Sequence, residues 1–286
     1  MFYRPLVVAT ALSAGSLMSC KSDRPAADAT PPATAAPDDQ PVTVTAGDYS
    51  MDLPASIPAG NVTLRLVNHG KELHQGQIVR IEDGKTVEDV KEALKSDGPP
   101  PAWLKFVGGP NGSAPGQETS SISSLEPGHY AMLCLIPSPD GVSHLAKGMI
   151  KGFEVTASTG AAATLPVATD TIRLVEYGFD ATRPLSPGRH TILVENGGAQ
   201  AHELVLLRLA PGKSVKDFAT WATAGGMQGP PPAMPMGGVA VMDRNERGVF
   251  SVDLGPGNYG LICFVPDAKD GKLHLQHGMM KQITVG

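Results

Sequence analysis

The sequence has little positive charge, few cysteines and no long apolar segment after its first twenty residues. Lys and Arg number 23 against 28 Asp and Glu, which argues against nucleic acid as a partner. After residue 20, no run of residues is apolar enough for long enough to cross a membrane. The sequence also contains no Ser-His-Asp signature, no phosphate-binding loop and no zinc motif. The informative residues are therefore the cysteines and the histidines near them.

Two of the three cysteines are followed by a histidine and a methionine at nearly the same spacing. The pattern is Cys-x9-His-x4-Met once and Cys-x10-His-x4-Met about 130 residues later. The two sets are Cys134, His144 and Met149, and Cys263, His274 and Met279. One more histidine lies some 60 residues upstream of each cysteine, at His74 and His202. Each half of the chain thus has two His, one Cys and one Met, the ligand set of a blue-copper centre.

The duplication covers most of the chain. A shift of 128 to 130 positions superposes landmarks of residues 42–156 on residues 171–285, and LEPGHYAMLC at 125–134 matches LGPGNYGLIC at 254–263. A repeat of about 115 residues has the size of an independent domain. The predicted organisation is a signal peptide at 1–20, a disordered linker at 21–41, a first domain at 42–157, a linker at 158–168 and a second domain at 169–286.

The first twenty residues have the features of an export signal. Arg4 precedes an apolar stretch that ends at Leu17-Met18-Ser19-Cys20, which resembles the lipobox of bacterial lipoproteins. We therefore expect an exported protein at the periplasmic or cell-surface face, anchored to a membrane by lipid at Cys20. Lys21 follows the cysteine, which favours the outer membrane. The alternative is a plain secretory signal with a chance cysteine.

Removing the signal leaves 22 Lys and Arg against 28 Asp and Glu, a formal charge of −6. The Ala, Pro and Thr residues that follow to about residue 40 predict a disordered tether. In the oxidising exported compartment Cys134 and Cys263 could form one disulfide. They occupy equivalent positions in two separate repeats, so we favour two thiolate ligands.

The secondary structure is predicted to be mostly strand. Short runs of β-branched and apolar residues, bounded by Gly, Pro or Asn, predict strands at 61–67, 77–81, 129–135, 191–195, 203–209 and 259–264. Thr86-x-x-Asp89 and Ser214-x-x-Asp217 predict capping boxes, and each begins a short helix. Short strands with one helical insertion per repeat predict an all-β fold of two tandem Greek-key β-sandwiches.

The cysteine segments carry a family resemblance. Gly128-x-Tyr130-x-x-x-Cys134 and Gly257-x-Tyr259-x-x-x-Cys263, each followed by His and Met, resemble the copper-ligand end of the cupredoxins. The resemblance implies a cupredoxin-like fold and up to two type 1 copper ions. It assigns His74, Cys134, His144 and Met149 to one site, and His202, Cys263, His274 and Met279 to the other. The gap between Cys and His is longer than in small cupredoxins, so the intervening loop must fold back.

Two imidazoles and a thiolate with a distant thioether accept both copper oxidation states, which favours electron transfer between redox protein partners. Multicopper oxidases and nitrite reductases need a His beside the Cys and His-x-His pairs, and this sequence has neither. We therefore predict that the protein is not an enzyme. The alternative is a non-redox binding module, either a copper chaperone or storage protein or a metal-free interaction domain.

Four further methionines, Met227, Met234, Met236 and Met242, cluster in the second half. Thioethers bind Cu(I), so copper capture is one interpretation, but we favour an adaptable apolar cover. We predict that His277 is an exposed neighbour of His274. We assign no role to His69, His129 and His190.

Overall fold

The computed structural model describes residues 40–82, 84–95, 98–158, 164–223 and 227–286. The predicted signal peptide, its Cys20 and almost all of the predicted tether lie outside the described residues. The same is true of residues 159–163, in the predicted linker between the repeats.

The described residues form seventeen strands and two α-helices. The first repeat contains β1 (Val42–Gly47), β2 (Ser50–Asp52), β3 (Ser56–Pro58), β4 (Gly60–Asn68), β5 (Gln77–Ile81), α1 (Val87–Ala93), β6 (Leu104–Phe106), β7 (Glu118–Leu125), β8 (Gly128–Leu133) and β9 (Ile150–Thr156). The second contains β10 (Asp170–Val175), β11 (Gly178–Ala181), β12 (Gly188–Asn196), β13 (His202–Leu209), α2 (Val215–Ala222), β14 (Ala233–Met242), β15 (Arg247–Leu254), β16 (Gly257–Ile262) and β17 (Met280–Val285). All six predicted strands are present, with ends within three residues of the expected positions.

Each repeat is a sandwich of two sheets. In the first, β2-β1-β4-β7 faces the five-stranded sheet β3-β9-β8-β5-β6, and in the second β11-β10-β12-β15 faces β14-β13-β16-β17. Strands β4 and β5 are consecutive but lie in opposite sheets, as do β7 and β8, which is Greek-key connectivity. The predicted fold class is confirmed: the chain is all-β, built of two tandem sandwiches, each with a short helical insertion.

Alternation along the strands accounts for the cores. Leu64 and Leu66 of β4 point into the first sandwich, where they meet Ile78 and Met132. The opposite face of the second sheet is also buried, because α1 covers it and inserts Val90 among its side chains. The corresponding cluster in the second repeat lies beneath α2. Residues of the second sheet are therefore buried on both faces, and its strands are nearly continuous in apolar residues.

Both helices begin where the sequence predicts. Thr86 accepts a hydrogen bond from the backbone N–H of Asp89, whose carboxylate accepts from the backbone N–H of Thr86. Ser214 and Asp217 make the same reciprocal pair. The capping boxes are thus confirmed. Neither helix has the length and apolar composition needed to span a bilayer.

One sheet continues from the first repeat into the second. Strands β7 and β15 pair antiparallel and join the two four-stranded halves into eight strands in the order β11-β10-β12-β15-β7-β4-β1-β2. Ser121 lies opposite Phe250, and each precedes by four residues the leucine that ends its strand, Leu125 or Leu254. Equivalent positions therefore face each other, as expected for local two-fold symmetry. Independent folding of the two predicted domains stays a prediction.

Candidate metal centres

The first repeat brings His74, Cys134 and His144 together, although they are up to 70 residues apart. His74 Nδ1 lies 3.1 Å from His144 Nδ1, and Cys134 Sγ lies 3.3 Å from His144 Nδ1. All three side chains are fully buried. Two imidazole nitrogens and one sulfur thus face the same point inside the protein.

The second repeat contains the same kind of cluster, formed by His202, Cys263 and His274. His202 Nδ1 is 3.0 Å from His274 Nδ1, and Cys263 Sγ is 3.6 Å from His274 Nδ1. These side chains are fully buried as well. In each cluster the three candidate ligand atoms all lie within 4.8 Å of one another, which is a spacing that suits one metal ion. Both cysteines are free, so the alternative of a disulfide between them is wrong.

The loop from cysteine to histidine folds back as the longer spacing requires. In the first repeat, Pro137 and Ser143 pair as an isolated bridge, the His144 N–H donates to Ile136 O at 2.9 Å, and the Leu145 N–H donates to Cys134 O at 2.9 Å. The second repeat has the same arrangement, with the His274 N–H donating to Val265 O at 2.8 Å. Each loop is a small hairpin that returns its histidine to its cysteine.

A buried asparagine holds the segment that carries the first histidine. Asn68 Nδ2 donates to Glu72 O at 2.8 Å and to Ser113 O at 2.7 Å. His74 itself pairs with Ser113 through two backbone hydrogen bonds. Asn196 makes the same pattern in the second repeat, where it donates to Gln200 O and Met242 O, each at 2.8 Å.

The methionines lie beside the clusters along the backbone. The Met149 N–H donates to His144 O at 2.9 Å, and the Cys134 N–H donates to Met149 O at 3.2 Å. Met279 has the same two contacts with His274 and Cys263. Both methionine side chains are fully buried in the same apolar clusters as their cysteines. Each methionine is therefore tied through its backbone to the cysteine and the second histidine of its cluster.

Burial sets the protonation of these groups. It raises the pKa of Cys134 to about 12 and also raises that of Cys263. Burial lowers the pKa of His202 to about 4, with a further contribution from His274, and lowers that of His74 with a contribution from His144. Neutral imidazoles with free lone pairs suit a metal, and a bound cation would supply the positive charge that a buried thiolate needs. The donor set therefore fits copper.

Carboxylates surround the histidines on the side away from the sulfur. His144 Nε2 is 2.8 Å from Glu72 Oε2, and His74 Nε2 is 3.6 Å from Asp48 Oδ1. Tyr49 donates to Glu72 Oε1 at 2.9 Å, and its ring packs edge-on against His144 at 5.6 Å between centroids. A carboxylate that binds the outer nitrogen of a metal-binding histidine fixes its tautomer and its ring orientation.

The second centre has its own acidic partners. His202 Nε2 is 3.9 Å from Glu176 Oε1, and His274 Nε2 is 3.9 Å from Asp267 Oδ2. Tyr177 packs against His274 at 5.6 Å and donates to Asp267 at 2.6 Å. Sequence reasoning missed these residues. An acid followed by tyrosine, Asp48-Tyr49 and Glu176-Tyr177, recurs at a shift of 128 and could have pointed to these four residues, but not to Glu72 or Asp267.

Glu203 connects the second centre to the first repeat. This buried carboxylate accepts from Asn111 Nδ2 at 2.9 Å and from the Phe264 N–H at 3.0 Å, next to Cys263. Burial raises the pKa of Glu203. The corresponding residue in the first repeat is Gln75, whose N–H donates to Cys134 Sγ at 3.4 Å. The two centres therefore have similar ligands but different surroundings.

The other residues singled out in the sequence are dispersed. Met242 is buried in the core, Met236 packs partly against that core, and Met234 is 48% exposed. The burial of Met242 agrees with the interpretation as packing. His277 is exposed as predicted and lies 3.1 Å from Asp270. His190, to which no role was assigned, is buried against Asp170, with 2.6 Å between His190 Nδ1 and Asp170 Oδ2.

No protein-family model matches the chain, and no curated protein matches it. Several solved structures resemble it. Reduced auracyanin from Roseiflexus castenholzii is 20% identical, with 41% of this chain and 94% of that chain covered and a TM-score of 0.29. Auracyanin A, a blue copper protein from Chloroflexus aurantiacus, is 20% identical, with 41% and 98% covered and a TM-score of 0.28. Copper nitrite reductase from Nitrosomonas europaea is 16% identical, with 86% and 94% covered and a TM-score of 0.26. These proteins include an enzyme, so the function of this chain is argued from its own residues.

Proposed function

We propose that the chain is an exported copper-binding protein with up to two type 1 copper ions, which transfers electrons between redox protein partners. One observation carries this proposal. Two imidazole Nδ1 atoms lie 3.1 Å apart in the first repeat and 3.0 Å apart in the second, each pair beside a buried cysteine sulfur. A constellation that occurs twice in one chain at equivalent positions is poorly explained by chance packing.

The proposed ligands are His74, Cys134, His144 and Met149 in the first centre, and His202, Cys263, His274 and Met279 in the second. Bound copper would supply a one-electron couple at each centre. The chain supplies a buried and fixed set of ligands, since the ligand side chains are fully buried and both cysteine-to-histidine loops are held by backbone hydrogen bonds. A rigid ligand set that suits both oxidation states lowers the structural reorganisation that accompanies the transfer of each electron.

The neighbours of the cysteines support a carrier over an enzyme. Leu133 and Leu135 flank Cys134, and Ile262 and Phe264 flank Cys263, so neither cysteine has an adjacent histidine that could lead to a second copper. No His-x-His pair occurs in the sequence. The proposed protein therefore exchanges electrons with other proteins and has no reaction of its own on a substrate.

A copper chaperone is the main alternative. A chaperone transfers copper through attack by ligands of the acceptor, which requires an accessible metal. The histidine and cysteine side chains of both clusters are fully buried, which favours electron transfer over metal transfer. A metal-free interaction module remains an outcome that the experiment below would reveal.

We propose that lipid at Cys20 anchors the protein to the membrane facing the exported compartment, with the outer membrane favoured by Lys21. Cys20 lies outside the described residues, and the proposal rests on the sequence of the signal. Replacing Cys20 with Ser should release the protein from the membrane fraction. Equal membrane association of the Cys20→Ser variant would contradict the lipid anchor.

The metal proposal is tested by absorption and paramagnetic-resonance spectra after copper loading. We expect an intense thiolate-to-copper band and two copper ions per chain. Cys134→Ser and Cys263→Ser should each remove about half of the band, whereas Cys20→Ser, the matched control, should leave it unchanged. Loss of the whole band in one variant would mean that only one centre binds. Absence of the band from the unaltered chain would exclude type 1 copper.

A further inference from the structure

The outer nitrogen of the second histidine in each cluster faces a carboxylate that also binds a tyrosine. In the first repeat, His144 Nε2 is 2.8 Å from Glu72 Oε2, and Tyr49 donates to Glu72 Oε1 at 2.9 Å. In the second, Tyr177 donates to Asp267 Oδ2 at 2.6 Å, and the same oxygen is 3.9 Å from His274 Nε2. The His274 Nε2 atom is buried and has no hydrogen-bond partner among the described residues, so Asp267 acts on it through its charge at this distance.

The two carboxylates occupy different positions in the repeat. Glu72 lies two residues before His74, where the second repeat has Gln200. Asp267 lies four residues after Cys263, where the first repeat has Ser138. Each repeat therefore has one acid and one neutral residue at these two positions. The acid is at the first position in the first repeat and at the second position in the second repeat.

In the structure, Ser138 occupies the place of Asp267 beside the tyrosine, and Gln200 occupies the place of Glu72. Ser138 Oγ is 3.4 Å from the Tyr49 hydroxyl, the group that corresponds to the Tyr177 hydroxyl bound by Asp267. Gln200 Nε2 donates to Asp267 Oδ2 at 2.8 Å, so the pair is in contact. Two acids at this distance would repel each other, and two neutral residues would leave the histidine without a charged acceptor. The reversed assignment keeps one carboxylate in each site.

The tyrosines are held at a conformational cost. Tyr49 has φ of 63° and Tyr177 has φ of 59°, in the left-handed region that favours glycine. Such a conformation is unfavourable for a residue with a Cβ, because the Cβ comes too close to the following carbonyl oxygen. Because both repeats keep tyrosine in this position, the ring and hydroxyl contribute something that glycine would lose. Each hydroxyl fixes the carboxylate that faces the histidine.

We propose that Glu72 and Asp267 are equivalent positioning residues that hold the proton of the second ligand histidine on Nε2, so that Nδ1 keeps its lone pair for the metal. This inference rests on the proposed copper function for its purpose, but the orientation of the imidazole exists without metal. The shorter distance in the first repeat predicts a larger effect for Glu72 than for Asp267.

The chain itself supplies the test, because the first repeat can be given the arrangement of the second. The variants are Glu72→Gln, Ser138→Asp and the double variant, each made in a Cys263→Ser background so that only the first centre binds copper. Glu118→Gln is the matched control, since it makes the same change of charge at an exposed residue of β7. Unfolding midpoints establish that each variant folds.

The first measurement uses metal-free protein and follows the imidazole ¹⁵N shifts of His144. We expect the Nε2-protonated form in the background chain and in Glu118→Gln, a mixture of tautomers in Glu72→Gln, and recovery in the double variant. The second measurement is Cu(I) affinity by competition with a chromophoric chelator. We expect Glu72→Gln to weaken Cu(I) binding about 10- to 100-fold, the range seen when a ligand histidine loses the partner of its outer nitrogen, and the double variant to recover most of the affinity.

Ser138→Asp alone should give no gain in affinity, because it places a second carboxylate beside Glu72. The inference is overturned if the double variant is no better than Glu72→Gln, or if Glu72→Gln leaves the His144 tautomer unchanged. Failure of the copper proposal is a separate result: the unaltered chain would then lack the thiolate-to-copper band, while the ¹⁵N shifts of metal-free protein would still decide the positioning role.

Discussion

Gln77 of the first repeat and Val241 of the second exchange two hydrogen bonds across the contact between the repeats. Gln77 Nε2 donates to Val241 O at 2.9 Å, and the Val241 N–H donates to Gln77 Oε1 at 2.7 Å. The glutamine is fully buried, and its side-chain amide makes with Val241 the two hydrogen bonds that the backbone of a neighbouring strand would make. The repeats are thus joined by specific polar contacts as well as by the continuous sheet.

Gln77→Leu should lower the free energy of unfolding by about 1 to 3 kcal/mol, because it leaves the N–H of Val241 buried without a partner, whereas the C=O of Val241 still accepts from the Gly108 N–H. Urea unfolding of the metal-free protein measures this. Gln117→Leu, at an exposed position before β7, is the control and should change stability little. Equal stability of the two variants would mean that water replaces the lost partner.

Asn111→Ala should destabilise the protein by about 1 to 3 kcal/mol, because it removes a donor from the buried Glu203 carboxylate. Asn258→Ala is the control, since this asparagine is exposed and accepts only from Thr284. Thermal unfolding compares the two. A loss no greater than that of the control would show that the connection between the repeats does not depend on Asn111.

His190 and Asp170 predict a pH dependence of stability away from the metal centres. Burial opposes charge on both, but their mutual hydrogen bond of 2.6 Å, with Arg183 and Ser186, raises the pKa of His190 and lowers that of Asp170 to about 2. The stabilisation from His190 is complete below its ordinary pKa of 6.5 and is lost as pH rises through the raised value. The stabilisation from Asp170 is fully present above pH 3.8, the ordinary pKa of an aspartate, and is lost as the pH falls through about 2.

Asp170→Asn should therefore cost about 3 kcal/mol near pH 5, because it leaves a buried histidine without its counter-ion, and less above the raised pKa of His190. Urea unfolding of the variant and the unaltered protein across this range gives the difference. His129→Gln, at an exposed residue of β8, is the control. A difference that does not change with pH would show that His190 keeps the same charge over this whole range.

The helix caps give matched substitutions in the two repeats. Thr86→Ala and Ser214→Ala each remove the side-chain oxygen that accepts from the third helical residue, and each should lower the free energy of unfolding by about 1 kcal/mol. Denaturant unfolding is the measurement. Thr284→Ala, an exposed strand residue, is the control and should cost less. Additive effects in the double variant are expected, since the two caps belong to different repeats.

The doubled spacing was sufficient to predict where the candidate ligands lie in the sequence. Cys134 and Cys263 stand out because each is followed by a histidine and a methionine at nearly equal gaps. The capping boxes were predictable because their reciprocal contacts join residues only three positions apart. Local signals of this kind do not depend on the rest of the fold.

The carboxylates that face the second histidine of each cluster, Glu72 and Asp267, were not predictable in the same way. A position-by-position comparison of the repeats pairs Glu72 with Gln200 and Ser138 with Asp267. Neither pair contains two acids, so the comparison does not indicate that each site has one carboxylate. Only the folded chain brings the two positions together. The pairing of β7 with β15 is similarly non-local, since the sequence of neither strand indicates which strand it pairs with.

The antiparallel pairing of β7 with β15 has a consequence for a divided chain. If the polypeptide were cut within residues 159–163 and the halves separated, β7 would keep β4 on one side and present unpaired N–H and C=O groups on the other. Exposed strand edges recruit other strands. Because Ser121 faces the equivalent Phe250, two copies of one half could meet at this edge with the same register, so we expect isolated halves to form homodimers, with the tandem chain a covalently tethered version of that pair.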